Sequence, residues 1–145
     1  MKVFLMVALF CGIAFAQQEP DPAKTPGKVD PNCSMKDICP HLSDAWNVRH
    51  VDESMKKEVC KEYGITEGCP GPKWELDHFI DRSICGADST WNLWPQPLAE
   101  AKIKDHKVED VLHKQVCAGK MTLTAAQACM KSGWVACGKK LGTIK

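Results

Sequence analysis

The stretch that decides the fold is WELDHFIDRSICGADSTWNLWPQP, residues 74–97. Its opening letters, WELDHFI, combine aromatic and β-favouring residues and predict a strand. The letters GADS supply a turn, and a second strand is expected around Trp91 to Trp94. Helix-forming residues follow at 98–118 and end at Gly119, a typical residue just past a helix. The order of strand, turn, strand and long helix predicts a small α+β unit.

Two further helices are predicted around this unit. Residues 52–63, DESMKKEVCKEY, begin with an Asp that can cap a helix and contain a run of good helix formers. Residues 122–131 repeat apolar side chains at helical spacing. The folded domain is therefore expected over residues 46–145.

The N-terminal part of the chain has two sections. Residues 1–16 carry one Lys and then an apolar run, with small residues where a signal peptidase cuts, so they predict a secretory signal peptide. Residues 17–45 contain five prolines and predict an extended segment, pinned by a loop between Cys33 and Cys39. The mature product is expected to be soluble, secreted and extracellular, with no membrane partner.

Cysteine usage indicates the same compartment. Removing the signal peptide leaves eight cysteines, an even number: Cys33, Cys39, Cys60, Cys69, Cys85, Cys117, Cys129 and Cys137. Up to four disulfides are therefore expected to staple the domain, in any of the pairings that eight cysteines allow. Zinc binding is the alternative, but no C-x-x-C pair occurs in the sequence.

Charge is distributed unevenly along a chain whose formal net charge is +1. Residues 17–97 carry 9 Lys and Arg against 14 Asp and Glu, whereas residues 98–145 carry 9 against 4. The positive half, which includes Lys102, Lys104 and Lys107, can contact phosphates through the electrostatic attraction that dominates nucleic-acid affinity. An ordinary solvated surface with an uneven charge is the alternative.

Residues 74–97 resemble the HNH-type, or ββα-metal, endonucleases, in particular small bacterial-type secreted proteins with D-H, a turn and N-L-W-P-Q in succession. The resemblance continues through AKIKD, Glu109 and LHKQVCAG, and it covers residues 49–134. It implies a small ββα-metal core of hairpin and helix, with flanking helices. It also implies a metal-dependent endonuclease that hydrolyses phosphodiester bonds of DNA or RNA without sequence specificity. We expect the protein to act as a monomer.

The resemblance gives roles to residues of the hairpin. His78 is the general base that activates water, since a neutral imidazole accepts a proton near neutral pH. Asp77 is a metal ligand, and a twist or bulge must bring it to the site because neighbouring strand residues point to opposite faces. Asn92 orients the base by hydrogen bonding to the hairpin backbone. Arg82 clamps the scissile phosphate or pairs with Asp81.

A second metal ligand is expected on the helix after the hairpin. The commonest HNH pattern has a His there, but this chain has Glu100 and Ala101. Glu100 is a hard oxygen ligand that suits Mg²⁺ or Mn²⁺. Asp105 is the other candidate, because it interrupts an apolar helix stripe and a buried carboxylate needs a metal, Lys104 or Arg82 as a partner. The sequence leaves Glu100 and Asp105 open.

Two non-catalytic hypotheses remain beside the nuclease. One is a cysteine-rich secreted binding or toxin-like protein on an HNH-like scaffold, and the other is a nuclease fold that binds nucleic acid without cleaving it. Two carboxylates converging beside His78 would favour the enzyme, whereas a salt-bridged Asp105 with Glu100 in solvent would favour the binding module. The three tryptophans within residues 74–97 are expected in the core rather than as base-stacking platforms.

Overall fold

A computed structural model describes residues 18–39 and 48–145. The expected signal peptide, residues 1–16, and part of the Pro-rich segment lie outside the described residues. The elements of the described chain are α1 (Met35–Ile38), α2 (Glu53–Glu62), β1 (Trp74–His78), β2 (Leu93–Pro97), α3 (Leu98–Lys104), α4 (Asp110–Cys117), α5 (Leu123–Lys131) and α6 (Trp134–Leu141). Helices combined with a small two-stranded sheet confirm the α+β class.

The sheet is an antiparallel hairpin of β1 and β2. Asp77 lies opposite Trp94, and His78 lies opposite Leu93, with no interruption of the register. The second strand starts later than expected because Thr90–Asn92 form a 3₁₀ turn. Its two prolines are tolerated, since both strands of a two-stranded sheet are edge strands.

The long helix predicted over residues 98–118 is interrupted once. Asp105–Glu109 form a π-helical turn between α3 and α4, which widens the helix there. The side chains of this helical arm that have no exposure are Ala101, Lys104, Val108 and Leu112. Lys104 is thus the charged residue of this arm with no exposure, whereas Asp105, which was expected on the stripe, is partly buried.

Two apolar clusters hold these elements together. The larger cluster joins the hairpin to α4, α5 and α6, and its largest fully buried side chains include Ile80, Ile84, Leu112, Met130 and Trp134. The smaller cluster packs α2 onto both strands through Val59, Cys60, Leu76 and Leu93. The hairpin is therefore packed on both faces. The helices predicted at 52–63 and 122–131 are confirmed, whereas α6 was not predicted.

Four disulfides staple the domain, and they pair Cys33 with Cys85, Cys39 with Cys117, Cys60 with Cys69 and Cys129 with Cys137. The expected loop between Cys33 and Cys39 is wrong, because both cysteines bond to distant parts of the chain. This number of disulfides is typical of secreted or extracellular proteins. Within residues 18–39 and 48–145, no helix has the length and apolar character needed to cross a membrane.

The N-terminal segment packs against the rest of the domain. The buried hydroxyl of Thr25 donates a hydrogen bond to the carbonyl oxygen of Leu93 at 2.9 Å. The indole N–H of Trp134 donates to the carbonyl oxygen of Gln18 at 2.7 Å. The described part of this segment therefore belongs to the same packed unit as residues 48–145.

Removing the Cys39–Cys117 bridge is expected to cost more stability than removing the Cys129–Cys137 bridge. The sequence separations are 78 and 8, and the entropy that a crosslink removes from the unfolded chain grows with loop length. Because the Cys33–Cys85 bridge shortens the loop that Cys39–Cys117 closes, replacing both cysteines by Ala should lower the free energy of unfolding by about 1–2 kcal/mol more for the first pair. Urea unfolding of the two double variants measures the difference, and equal losses would contradict the prediction.

Candidate functional site

A buried histidine–carboxylate pair lies at the end of the hairpin. His78 is the last residue of β1 and is 5% exposed, and its Nε2 lies 2.7 Å from Oδ1 of Asp88. Asp88 also accepts a hydrogen bond from the backbone N–H of His50 at 2.6 Å. When Nε2 carries the proton that Asp88 accepts, Nδ1 of the same ring keeps a basic lone pair. Asp88 thus orients the ring and selects the tautomer.

Asn92 fixes the connection between the two strands. Its side chain is fully buried, and Oδ1 accepts a hydrogen bond from the N–H of Ile80 at 2.9 Å. Its Nδ2 donates to the carbonyl oxygens of Ile80 at 2.9 Å and Ala87 at 3.1 Å. These bonds join the chain just after His78 to the chain just before Asp88. Asn92 therefore makes the backbone contacts expected of it.

An open cavity of about 340 Å³ lies beside the pair, and Lys28, His50, Arg82 and Asp88 are among its lining residues. The Nε of Arg82 lies 3.5 Å from Oδ1 of Asp88, and its Nη2 donates to the carbonyl oxygen of Val48 at 2.7 Å. The volume falls in the range of small-molecule sites. The cavity thus places basic side chains next to the carboxylate that holds His78.

The pKa of Asp88 is about 2, below its ordinary value of 3.8. Burial alone would raise this pKa, but hydrogen bonds from His78 and the His50 backbone, with the charge of Arg82, outweigh it. Because the pKa is lower in the folded state, Asp88 contributes stability that is full above about pH 4 and is lost as the pH falls towards 2.

We expect Asp88→Asn to reduce the loss of stability between pH 4 and pH 2, because the variant lacks the group that takes up the proton in that interval. Urea unfolding of both proteins at the two pH values gives the free energies of unfolding. An equal fall in both proteins would mean that Asp88 does not carry this pH dependence.

The register of the hairpin has no bulge at Asp77, whose carboxylate meets a buried lysine, whereas the ring of His78 meets Asp88. The Nζ of Lys104 has no exposure and donates to Oδ2 of Asp77 at 2.5 Å, to the carbonyl oxygen of His78 at 2.7 Å and to Oε1 of Glu109. Lys104 and Glu109 are five residues apart, and the π-helical turn brings them together. Lys104 therefore ties the helix to the end of β1.

Asp105 completes a group of three carboxylates, in which one oxygen each of Asp77, Asp105 and Glu109 lies within 4.8 Å of the others. Burial and the charge of Asp77 raise the pKa of Asp105, while burial and the charge of Asp81 raise the pKa of Glu109. Burial would lower the pKa of Lys104, but Asp77 and Glu109 outweigh it and raise that pKa. One ammonium thus faces three carboxyl groups, and burial and mutual repulsion favour the protonated forms of Asp105 and Glu109.

The donor chemistry of this group fits a hard divalent cation. A carboxylate offers lone pairs on both oxygens, and the hydrogen bonds from Lys104 to these side chains use one oxygen of each, Oδ2 of Asp77 and Oε1 of Glu109. Lone pairs on these two side chains and on Asp105 can therefore bind Mg²⁺ or Mn²⁺, which prefer oxygen ligands. Such a cation would favour the ionised forms of these carboxyl groups.

Two of the three metal ligands considered from the sequence come together, and the third does not. Asp77 and Asp105 belong to the carboxylate group. Oε2 of Glu100 instead accepts a hydrogen bond from the backbone N–H of Gln18 at 2.8 Å. Glu109, rather than Glu100, completes the carboxylate group, and sequence reasoning missed it because ordinary helical spacing does not bring Lys104 and Glu109 together.

A second group, Cys39, His113 and Cys117, has a similar spacing. Its two cysteines are joined in a disulfide, so they offer no thiolate to a metal. The Nε2 of His113 lies 2.8 Å from the carbonyl oxygen of Ile38, where it supports α1. These residues are therefore structural.

Comparison with known proteins gives no identification, since no family model, no curated protein and no solved structure matches this chain. The likeness of residues 74–97 to the HNH endonucleases therefore remains a hypothesis that rests on the residues themselves.

Proposed function

We propose that the protein is a secreted, metal-dependent endonuclease that hydrolyses phosphodiester bonds in DNA or RNA. One observation carries this proposal: the consecutive residues Asp77 and His78, at the end of one strand, each belong to a polar group of the kind that phosphodiester hydrolysis uses. Asp77 lies in a group of hard oxygen donors, and His78 is an imidazole oriented by a carboxylate. Phosphodiester hydrolysis at neutral pH uses both kinds of group.

In the proposed reaction, Nδ1 of His78 takes a proton from a water molecule. The water oxygen forms a bond to phosphorus while the bond from phosphorus to the 3′ oxygen breaks, and the leaving oxygen takes a proton from solvent. The products are a 5′-phosphate and a 3′-hydroxyl. Asp88 keeps its hydrogen bond to Nε2 and stabilises the imidazolium that forms.

Negative charge that develops on the phosphate needs positive partners. The guanidinium of Arg82 lines the cavity beside Asp88 and can hold a phosphate oxygen. A divalent cation, when bound by Asp77, Asp105 and Glu109, would stabilise the charge on the phosphate and on the leaving oxygen.

Lys104 acts through other residues, because it is fully buried and does not contact solvent. Its ammonium holds the carboxylate of Asp77 and the carbonyl oxygen of His78 at 2.5 and 2.7 Å. Lys104 is thus a positioning residue that fixes the carboxylate of Asp77, the proposed metal ligand, relative to the backbone of His78, the proposed base.

The test is incubation of the oxidised protein with supercoiled plasmid and, separately, with RNA. Each reaction contains Mg²⁺, Mn²⁺ or EDTA. We expect cleavage with a divalent cation and none with EDTA. Failure to cleave either substrate under all conditions would overturn the enzymatic proposal, and cleavage in EDTA would overturn the dependence on metal.

Asp105→Asn is expected to weaken Mn²⁺ binding by at least about 10- to 100-fold, because even the partners of metal ligands contribute that much to affinity. Cleavage should slow in parallel. Glu100→Gln is the matched control, since Glu100 bonds to Gln18 and lies outside the carboxylate group, and it should keep both properties. Calorimetric titration with Mn²⁺ measures the affinities. The reverse ranking would assign the ligand role to Glu100.

One observation favours a second candidate function, a non-catalytic binding module on the same scaffold. Lys104 already supplies a cation to Asp77 and Glu109, as in an ion network that only stabilises a fold. A protein of this kind would bind nucleic acid and leave it intact. Oligonucleotide binding without cleavage in any of the assays above would select this candidate.

A further inference from the structure

Trp91 has the largest exposed fraction, 58%, of the large hydrophobic side chains in the described part of the chain. The expectation that the hairpin tryptophans belong to the core is confirmed for Trp94, which is 2% exposed, and is wrong for Trp91. Isolated exposed apolar side chains are common on protein surfaces, so the surroundings of Trp91 decide what it can do.

The backbone that carries Trp91 is held firmly. Its carbonyl oxygen accepts a hydrogen bond from the N–H of Gly27 at 3.1 Å, and its own N–H donates to Oγ of Ser89 at 3.4 Å. The next residue, Asn92, is fully buried with three side-chain hydrogen bonds. The indole is therefore presented to solvent from a fixed turn, which reduces the entropy lost when a ligand stacks on it.

Trp91 lines an open cleft of about 420 Å³ together with Pro26, Gly27, Lys28, Val29 and Lys131. None of these described lining residues is acidic, and two of them are exposed lysines. The backbone of Lys28 is held by the N–H of Ala87, which donates to its carbonyl oxygen at 3.0 Å. The cleft thus combines an aromatic face with two positive charges, which suits a ligand that is both aromatic and anionic.

The cleft and the cavity beside the proposed reacting groups share two lining residues. Lys28 and Val29 line both spaces, and the cavity is also lined by Arg82 and Asp88. A chain molecule that spans both spaces would place one part on Trp91 and another part beside Arg82.

We propose that Trp91, Lys28 and Lys131 form a subsite for single-stranded nucleic acid, in which the indole stacks on a base and the lysines contact flanking phosphates. This inference rests on the proposed nuclease function and names its substrate class. A base in a duplex has both faces covered by its neighbours, so only an unpaired or flipped base can lie on the indole.

The test measures binding separately from cleavage. Fluorescence anisotropy in EDTA reports the affinity of the full protein for labelled oligothymidylate and for a duplex of the same length. Trp91→Ala should weaken binding of the single strand by roughly 5- to 100-fold and leave duplex binding nearly unchanged. Trp91→Phe should recover part of the loss. Oligothymidylate should also quench tryptophan emission of the wild-type protein more than that of Trp91→Phe.

The lysines are tested through the salt dependence of binding. Lys28→Ala and Lys131→Ala should each lower the slope of log affinity against log salt by about 0.7 for the single strand. Met35→Ala and Lys120→Ala are matched controls, because both residues line a different cavity, and they should bind as the wild type does. An unchanged affinity of Trp91→Ala, or equal losses for single strand and duplex, would overturn the subsite.

Failure of the subsite and failure of the nuclease are distinguishable. Cleavage of plasmid or RNA together with wild-type binding by Trp91→Ala would remove the subsite and keep the nuclease. Trp91-dependent binding of oligothymidylate without any cleavage would keep the subsite and remove the nuclease.

Discussion

Replacing His78 by Ala is expected to reduce metal-dependent cleavage on the order of 10²- to 10⁴-fold, because general-base assistance is worth about that much. His78→Gln should be equally impaired. Its amide N–H can donate to Asp88 as the imidazole does, yet the side chain has no basic nitrogen to take a proton from water. Initial rates on plasmid and RNA at saturating Mn²⁺ measure the loss, and circular dichroism reports whether the fold is retained.

The matched control for this prediction is His106→Ala. The side chain of His106 is 77% exposed and lies on the π-helical turn, 3.5 Å from a carboxylate oxygen of Asp110. The His106→Ala variant should cleave at the wild-type rate, because His106 belongs neither to the pair of His78 and Asp88 nor to the residues that line the cavity beside it. A folded His78→Gln variant that cleaves at the wild-type rate would remove His78 from the mechanism.

Replacing Lys104 by Met is expected to lower the free energy of unfolding by about 3–5 kcal/mol, the cost of removing one partner from a buried ion pair. Met fills a similar volume without the charge, so Asp77 and Glu109 would stay buried without their cation. For a chain of this size the loss corresponds to a fall in melting temperature of roughly 10 °C or more. Urea and thermal unfolding of the oxidised protein measure it.

Two further variants test whether the unpaired buried charge causes the loss of stability in Lys104→Met. Lys102 lies two residues from Lys104 on α3 and is exposed, so Lys102→Met should change the free energy of unfolding by no more than about 0.5 kcal/mol. Adding Glu109→Gln to Lys104→Met removes one of the carboxylates left without a partner and should recover part of the loss. A Lys104→Met variant as stable as Lys102→Met would show that the ion network does not stabilise the fold.

Local patterns were sufficient for much of the fold. The helix at Glu53–Glu62 begins after Asp52, whose side chain accepts a hydrogen bond from the N–H of Met55, and a sequence shows such caps directly. The helix at Leu123–Lys131 begins in the same way after Thr122. The disulfide partners were not predictable, because pairing depends on which cysteines the finished fold brings together.

For the site, the sequence by itself determined the hairpin that carries Asp77 and His78, because a run of β-favouring residues and the turn residues after it are local signals. It also supplied Asn92 as the residue that ties the hairpin backbone. The sequence could not decide whether Glu100 or Asp105 is the second metal ligand. Both carboxylates are compatible with a helix, and their positions along the chain do not show which of them lies near Asp77.

Only the tertiary structure decided where the charges lie. Lys104 lies directly before the π-helical turn at Asp105–Glu109, is fully buried and meets Asp77, which lies 27 positions away along the chain. Asp88 looked like an ordinary turn residue until the closed hairpin brought it to His78. These contacts depend on packing between separate elements, because the partner of a buried charge can come from a residue that is close in the fold and distant along the chain.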